Sequence, residues 1–311
     1  MKTEQNKGYM MILLAGVLWG SIGLFSTMMT NAGMDTGSVA FFRVLASSVM
    51  LALLLIIKGK GVSLFHISKR GLISCALIGL FSQAFFNICY MSTIKHGGMA
   101  TAAVFLYTSP VFVAIMSRLF FHEALTRNKI LAIVINIVGC MLAVTGGDFS
   151  DVKISGYVVL VGVLAGFTYA QLPVLSRTGA DKEDPFTAAF YGQLFGMILL
   201  FFMIRPYNGI GCELTPTVIL AIVGIGIFPS ALAYSAYYTG LSRIKETSKV
   251  PVFASVETIV AALIGYIAFG QTIGLGKILG IALVLVSIVV MNRRRATRVE
   301  IWLNRSQIEK Q

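Results

Sequence analysis

Hydrophobic residues in this chain neither alternate with polar ones nor keep to a narrow helical stripe; they run together in long blocks separated by short polar stretches. Residues 8–34, 71–94, 130–147, 154–176, 185–204 and 214–242 each contain no Asp, Glu, Lys or Arg. Several exceed the roughly 20 residues that a helix needs to cross a hydrocarbon core. With charged clusters and cap residues as boundaries, the pattern predicts ten helical spans, at approximately 8–30, 36–57, 71–94, 98–121, 128–146, 154–176, 185–204, 215–240, 247–269 and 272–292. The connections are short. The first block follows Lys2 and Lys7, but its uncharged run is longer than the roughly 7–15 apolar residues of a signal-peptide core, so it is expected to stay in place as a span.

Composition agrees with a lipid environment. A chain of 311 residues would suit two soluble domains, but 57% of it is hydrophobic, 12% is charged and the mean hydropathy is +0.83, which leaves too little polar material for a water-facing surface. The net charge of +12 does not form a basic stripe with interleaved aromatics, so nucleic acid is not an expected partner. The cations sit at the ends of the apolar blocks instead. If the N-terminus is cytoplasmic, 19 of the 25 Lys and Arg residues fall on that side and 4 (Lys95, Lys153, Arg205 and Lys277) on the other, with Arg43 and Arg118 inside spans. This asymmetry predicts a multi-pass protein of the plasma (inner) membrane with both termini cytoplasmic. A missed or invented helix would scatter the bias. The basic tail 293–311, with Trp302 and Leu303, is expected to rest on the anionic inner leaflet.

No cofactor or metal is expected. Cys75, Cys89 and Cys140 lie inside apolar blocks and Cys212 in a loop, without paired spacing, and His66, His96 and His122 make no ligand pattern. The chain has no P-loop, GxSxG, HExxH or dinucleotide fingerprint, so the parts for ATP-driven transport or hydrolysis are missing and an enzyme is not expected.

The chain also resembles itself. A shift of 148 residues, without a gap, superimposes Gly8-Tyr9 on Gly156-Tyr157, Phe42 on Phe190, Ser82 on Ser230, Tyr90 on Tyr238, Phe121 on Phe269 and Lys129-Ile130-Leu131 on Lys277-Ile278-Leu279. Span boundaries coincide in the same register, which predicts two five-helix repeats, 8–146 and 154–292, followed by the tail. Five is odd. The second copy must enter the membrane from the opposite side, so the expected fold is an all-α polytopic protein of ten transmembrane helices arranged as an inverted-topology pair. Such a pair places a site near the midplane between its copies.

Ser109-Pro110-Val111-Phe112, followed by Phe121-His122-Glu123-Ala124-Leu125-Thr126, resembles the P-V-F … G-E-x-L-T pattern of the drug/metabolite transporter superfamily, in particular chains with two EamA-type domains. Leu18-Trp19-Gly20 and Phe42-Arg43 look like the start of the same family. The resemblance runs to about residue 292. It implies ten helices around a central cavity lined mainly by spans 1, 3, 4, 6, 8 and 9, with spans 2 and 7 outside and 5 and 10 packed at the edge. It also implies transport of amino acids or related metabolites, in the direction of export. The second copy departs from the pattern at Gln271, where the family has its second loop glutamate, and at Thr258, where a proline often follows Glu257.

Charges inside lipid cost about 2.5–3.5 kcal/mol by insertion scales and each needs an account. Arg118 is close enough to its span end to snorkel. Arg43 lies deeper, in a span the resemblance places outside the cavity, and reads as a structural cation on helix-end carbonyls. Glu257 sits ten residues into span 9, near mid-membrane. It reads either as a cation partner or protonatable coupling group, or as a hydrogen-bonded structural carboxyl. In span 3, Gln83, Asn87 and Tyr90 share a helix face; in span 8, so do Ser230, Tyr234, Tyr237 and Tyr238. Such faces must turn inward, to bond another helix or to line water. Trp19, Tyr107, Tyr169 and Ser255 complete the candidate substrate-binding set with Gln83, Asn87, Tyr90, Tyr234, Tyr238 and Glu257. Pro173 and Pro251 are expected to kink spans 6 and 9. The pairs Gly16/Gly20, Gly162/Gly166, Gly192/Gly196 and Gly276/Gly280 are GxxxG matches that predict close helix packing.

These readings converge on a secondary transporter that moves a small solute by alternating access, its partners being that solute, the bilayer and, if coupled, protons. A proton-independent facilitator or exchanger of an amine, nucleoside or sugar nucleotide fits the same residues, and a non-transporting scaffold is the remaining alternative.

Overall fold

A computed structural model describes residues 2–57, 65–206 and 213–293. Cys212, Lys58, Lys60 and the tail from Arg294, including Trp302 and Leu303, lie outside them. Ten helices are long and apolar enough to cross a membrane: α1 (Thr3–Asn31), α2 (Thr36–Ile57), α3 (Lys69–Gly97), α4 (Met99–Phe121), α5 (Arg127–Thr145), α6 (Gly156–Ser176), α7 (Pro185–Ile204), α8 (Pro216–Leu241), α9 (Thr247–Phe269) and α10 (Leu275–Asn292). Caps set many of the ends. Ser68, Thr126, Ser155, Asp184 and Thr215 each accept a backbone N–H at the first turn of the helix they precede. An even number of crossings brings the start of α1 and the end of α10 to one face of the bundle, the terminal face.

The two halves match in their irregularities as well as their lengths. The α3 helix widens into a π-helical segment at Gly79–Phe85, and α8 does so at Ile227–Leu232, beginning 148 residues later. The α4 helix is interrupted after Leu106 and ends at Phe121; α9 is interrupted after Ala254 and ends at Phe269, again at that spacing. Equivalent helices therefore cross in opposite senses. Pro173 lies inside the unbroken α6, whereas Pro251 falls in the first turn after the start of α9. The expected kink at Pro251 is thus corrected: at the first turn a proline forfeits no helix bond, and the interruption comes at Ser255.

Packing follows the small residues. All four GxxxG pairs lie at helix contacts: Gly16 and Gly20 against α9, Gly162 and Gly166 against α4, Gly192 against α8 with Gly196 against α3, and Gly276 and Gly280 against α5. The α5 and α10 helices make the most extensive of these contacts and form one edge of the bundle. The main core gathers Ile12, Trp19, Tyr234, Tyr237, Tyr238, Val252 and Phe253 from α1, α8 and α9. Large apolar side chains such as Leu119, Leu220, Ile267 and Leu279 point outward, as a lipid-facing surface requires. Arg118 is exposed, in keeping with an anchor at a span end. Arg43 is buried but makes no ion pair or hydrogen bond among the described residues, so the carbonyl contacts expected of it are not seen.

The terminal face carries an ionic cluster. Lys129 and Lys249 each lie 2.6 Å from Glu246. Burial pushes the Glu246 carboxyl up, but the ammonium groups of Lys129 and Lys249 beside it outweigh this and hold it below the ordinary value of 4.5.

Two outcomes test this packing. A Cβ on Gly280 would meet the Gly139 carbonyl oxygen at 2.7 Å and overlap the backbone of Ala143, while Gly23 faces open space. Gly280→Ala should therefore lose about 1–3 kcal/mol, read as a lower melting temperature in detergent, with Gly23→Ala as the neutral control. Because the folded Glu246 carboxyl is depressed, its contribution is complete above the unfolded carboxylate value and is lost as the pH falls through the lower folded one. The acid limb of the melting-temperature profile should accordingly be flatter in Glu246→Gln than in the parent protein.

Candidate functional site

The interruptions of α4 and α9 come together inside the bundle, and their freed backbone groups are met locally. Thr108 Oγ1 donates to the Phe105 carbonyl at 2.6 Å, and Ser255 Oγ to the Val252 carbonyl at 2.7 Å. Short hydroxyl side chains do this well, which is why Thr and Ser can sit at helix breaks inside lipid. The two breaks are then tied to each other and to the edge pair. Thr258 Oγ1 donates to Tyr107 Oη at 3.1 Å, and Asn136 Nδ2 donates to Ser255 Oγ at 2.6 Å and Ser287 Oγ at 3.0 Å.

This belt borders a cavity of about 30 Å³. Its walls come from α1 (Trp19), α4 (Tyr107, Ser109, Pro110), α5 (Asn136), α6 (Tyr169, Pro173), α8 (Tyr237) and α9 (Ser255, Glu257). One water needs roughly 10–15 Å³ by the same measure, so the space suits about two waters and no metabolite; admitting one requires the walls to part. Trp19 stands with its ring centroid 5.4 Å from Tyr234 and 5.0 Å from Tyr237. Glu257 occupies the first turn beyond the α9 break. Among the described residues it makes no hydrogen bond or ion pair, and no Lys or Arg lines the cavity. An unpaired carboxyl among aromatic faces is an environment for a cation or a proton. No group of three His, Cys, Asp or Glu comes together among the described residues.

Of the ten candidate residues, Trp19, Tyr107, Tyr169, Ser255 and Glu257 line this cavity. The others stand behind it. Gln83 Nε2 donates to Tyr234 Oη at 2.8 Å, joining the polar faces of α3 and α8 directly, and Asn87 Nδ2 donates to the Gln83 carbonyl at 2.5 Å. Tyr90 stacks on Phe86 at 5.4 Å, and Phe86 in turn packs against Tyr169 at 5.1 Å. Tyr238 is buried toward α7, where Gly192 makes room for its hydroxyl.

The implied ring of lining spans is corrected in two respects: α3 contributes no lining residue, and α5, expected only at the edge, contributes Asn136. The polar face of α3 is spent on other helices instead, Gln83 lying within the π-helical segment and bonding Tyr234 of α8. The signal for Asn136 is its isolation, as the only carboxamide in the uncharged run 130–147. Asn136→Leu would remove two bonds shared between helices and should cost about 1–2 kcal/mol, measured as a fall in the melting temperature of the purified protein.

Comparison with known proteins bears on the whole length. The profile of the EamA-like transporter family matches twice, over residues 6–145 and 156–293. An uncharacterized transporter of Archaeoglobus fulgidus is 27% identical over 280 residues, covering 90% of this chain and 94% of its own. The uncharacterized inner membrane transporter YicL of Salmonella typhimurium is 25% identical over 94% of this chain and 98% of its own. The uncharacterized transporter YyaM of Bacillus subtilis is 23% identical over 90% of this chain and 92% of its own. A protein of known crystal structure superimposes with a TM-score of 0.77 over 92% of this chain and 96% of its own; at 15% identity that likeness speaks for the fold alone. With both halves matched and ten membrane-crossing helices between them, the chain belongs to the EamA-like transporter family and is a multi-pass membrane transporter.

Proposed function

We propose that this protein is a secondary transporter of small metabolites bearing an amino group, amino acids or related compounds, and that it exports them across the plasma membrane. In this reading residues 8–146 and 154–292 are the two moving units, both termini are cytoplasmic, and the tail 293–311 lies at the inner leaflet. The observation that carries the reading is the unpaired Glu257 in a small cavity walled by both halves. A cavity with room for about two waters is the occluded form of an alternating-access site, and exchanging the conformations of the halves would open it to either side. The charge bias of the loops supports the orientation. Glu257 serves as the counter-ion of the solute's ammonium group or of a coupling proton, and Trp19, Tyr107 and Tyr169 supply aromatic faces to the remainder.

In a Trp302→Phe background Trp19 is the sole tryptophan, so its emission reports the cavity. Amino acids and amines that bind should shift that emission and raise the melting temperature. Glu257→Gln should weaken binding of the cationic solutes at least about tenfold, the loss of roughly 1.4 kcal/mol. A panel that moves neither signal in the parent protein sinks the proposal. Proteoliposome flux with and without a pH gradient then separates proton coupling from facilitation, since a facilitator is indifferent to the gradient.

A further inference from the structure

One buried charge cluster takes no part in the cavity. Glu123, at the end of α4, is 9% exposed and uses both carboxylate oxygens. Oε1 accepts the Thr247 backbone N–H at 2.7 Å, and Oε2 accepts the Ser248 backbone N–H at 3.1 Å and the Ser248 hydroxyl at 2.7 Å. The carboxylate thus caps the first turn of α9, a favourable place for an anion. Arg177, at the end of α6, donates to Glu123 Oε1 at 3.4 Å, to Thr247 Oγ1 at 2.8 Å and to the Lys245 carbonyl. Lys129, at the start of α5, lies 4.0 Å from Glu123 and 2.6 Å from Glu246. Glu123 and Lys129 belong to the first half of the chain; Arg177 and residues 245–249 belong to the second. The cluster fastens one half to the other across the terminal face.

The opposite face has the same backbone and Lys277 where Lys129 stands, but among the described residues it is crossed by neutral bonds only, from Ser38 Oγ to the Pro206 carbonyl at 3.2 Å, from the Lys153 N–H to Thr101 Oγ1 at 3.1 Å and between Ser92 and Tyr157 at 2.8 Å. His122 and Gly270, 148 residues apart, both end their helices in the left-handed conformation. The next N–H returns to the equivalent carbonyl in each case, Glu123 to Ser117 at 3.2 Å and Gln271 to Gly265 at 3.1 Å. The side chains then diverge. Gln271 is exposed and its amide lies over Gly265 of its own helix. The positions equivalent to Glu246 and Lys249 are Gly98 and Thr101. Among the described residues every ion pair lies on the terminal face.

We propose that Glu123, with Lys129, Arg177 and Glu246, is a latch that holds the terminal face shut, and that its absence around Gln271 makes the two access states of the carrier unequal in energy, the opposite face being the one that opens more readily. The inference rests on the alternating-access reading above. Its consequence is that α9, which carries Glu257, cannot swing away from α4 on the terminal side until the bonds from Glu123 to Thr247 and Ser248 part. Opening there is a discrete step, and its cost is set by residues the solute does not touch.

The test reads conformation directly and uses no solute. Spin labels at Arg127 and Ser242, both exposed and on opposite halves of the terminal face, are placed in the full chain in lipid nanodiscs, and their distance distribution is measured. The parent protein should give a dominant short distance. Glu123→Gln should raise the ratio of long to short distances by about tenfold or more, because a charge-assisted cap is lost. Arg177→Gln should shift the ratio in the same direction by less, and it carries the test if the Glu123 variant does not fold. A lowered melting temperature with an unchanged distance distribution would show a cap that only stabilises the fold, and would overturn the latch. If the distances shift but no solute is transported, the latch stands and the functional proposal falls; transport with unmoved distances removes the latch and leaves the functional proposal standing.

Discussion

In hydrocarbon a polar side chain cannot turn to water, so those within the bundle are driven to find partners in protein. That constraint decides how the halves of this chain meet. Gln83 bonds Tyr234, Asn136 bonds Ser287 and Thr258 bonds Tyr107, and each pair joins a helix of one half to its counterpart in the other. Apolar packing alone gives helices little reason to prefer one another over lipid. Close approach at glycine, as between α5 and α10, supplies the contact, and these few bonds supply the register. The cavity is what remains where the register cannot be completed: two broken helices leave a belt of hydroxyls, and beside it a carboxyl with no partner.

Much of the architecture is legible from the residues. Uncharged blocks and their caps determine how many helices there are, and the GxxxG pairs name contacts that the structure makes. The cavity is half legible. Glu257 and the aromatics Trp19, Tyr107 and Tyr169 stand out because their types are costly or unusual at that depth, and they do border one space. The polar residues of α3 share a face, but nothing in their spacing says that Gln83 spends its amide on Tyr234 of α8 rather than on the cavity. Pro251 suggests a kink, yet proline at a first turn is compatible with a straight start.

Glu123 illustrates a different limit. It belongs to the motif that carries the family resemblance, and in the sequence its counterpart Gln271 concerns only the cap at a helix boundary. Local sequence says that a carboxylate follows a helix end; it does not say that the N–H groups it serves lie 124 and 125 residues further along the chain. Only the inverted arrangement of the halves brings α9's first turn to α4's last. A few side-chain differences between copies, at Gln271, Gly98 and Thr101 against Glu123, Glu246 and Lys249, can then separate two faces that the duplication had made alike.

The shortest spans have a further consequence for the surroundings. Helices α5 and α10, of 19 and 18 residues, pack together along one edge, whereas α1 and α3 have 29 each. At 1.5 Å per residue the edge pair is roughly 28 Å tall, a little under the ~30 Å of an average hydrocarbon layer. Lipids bordering that edge must thin to meet it, while the long helices are accommodated by leaning. Acyl-chain length therefore acts on this protein unevenly around its perimeter, and a thicker bilayer bears first on the seam between α5 and α10.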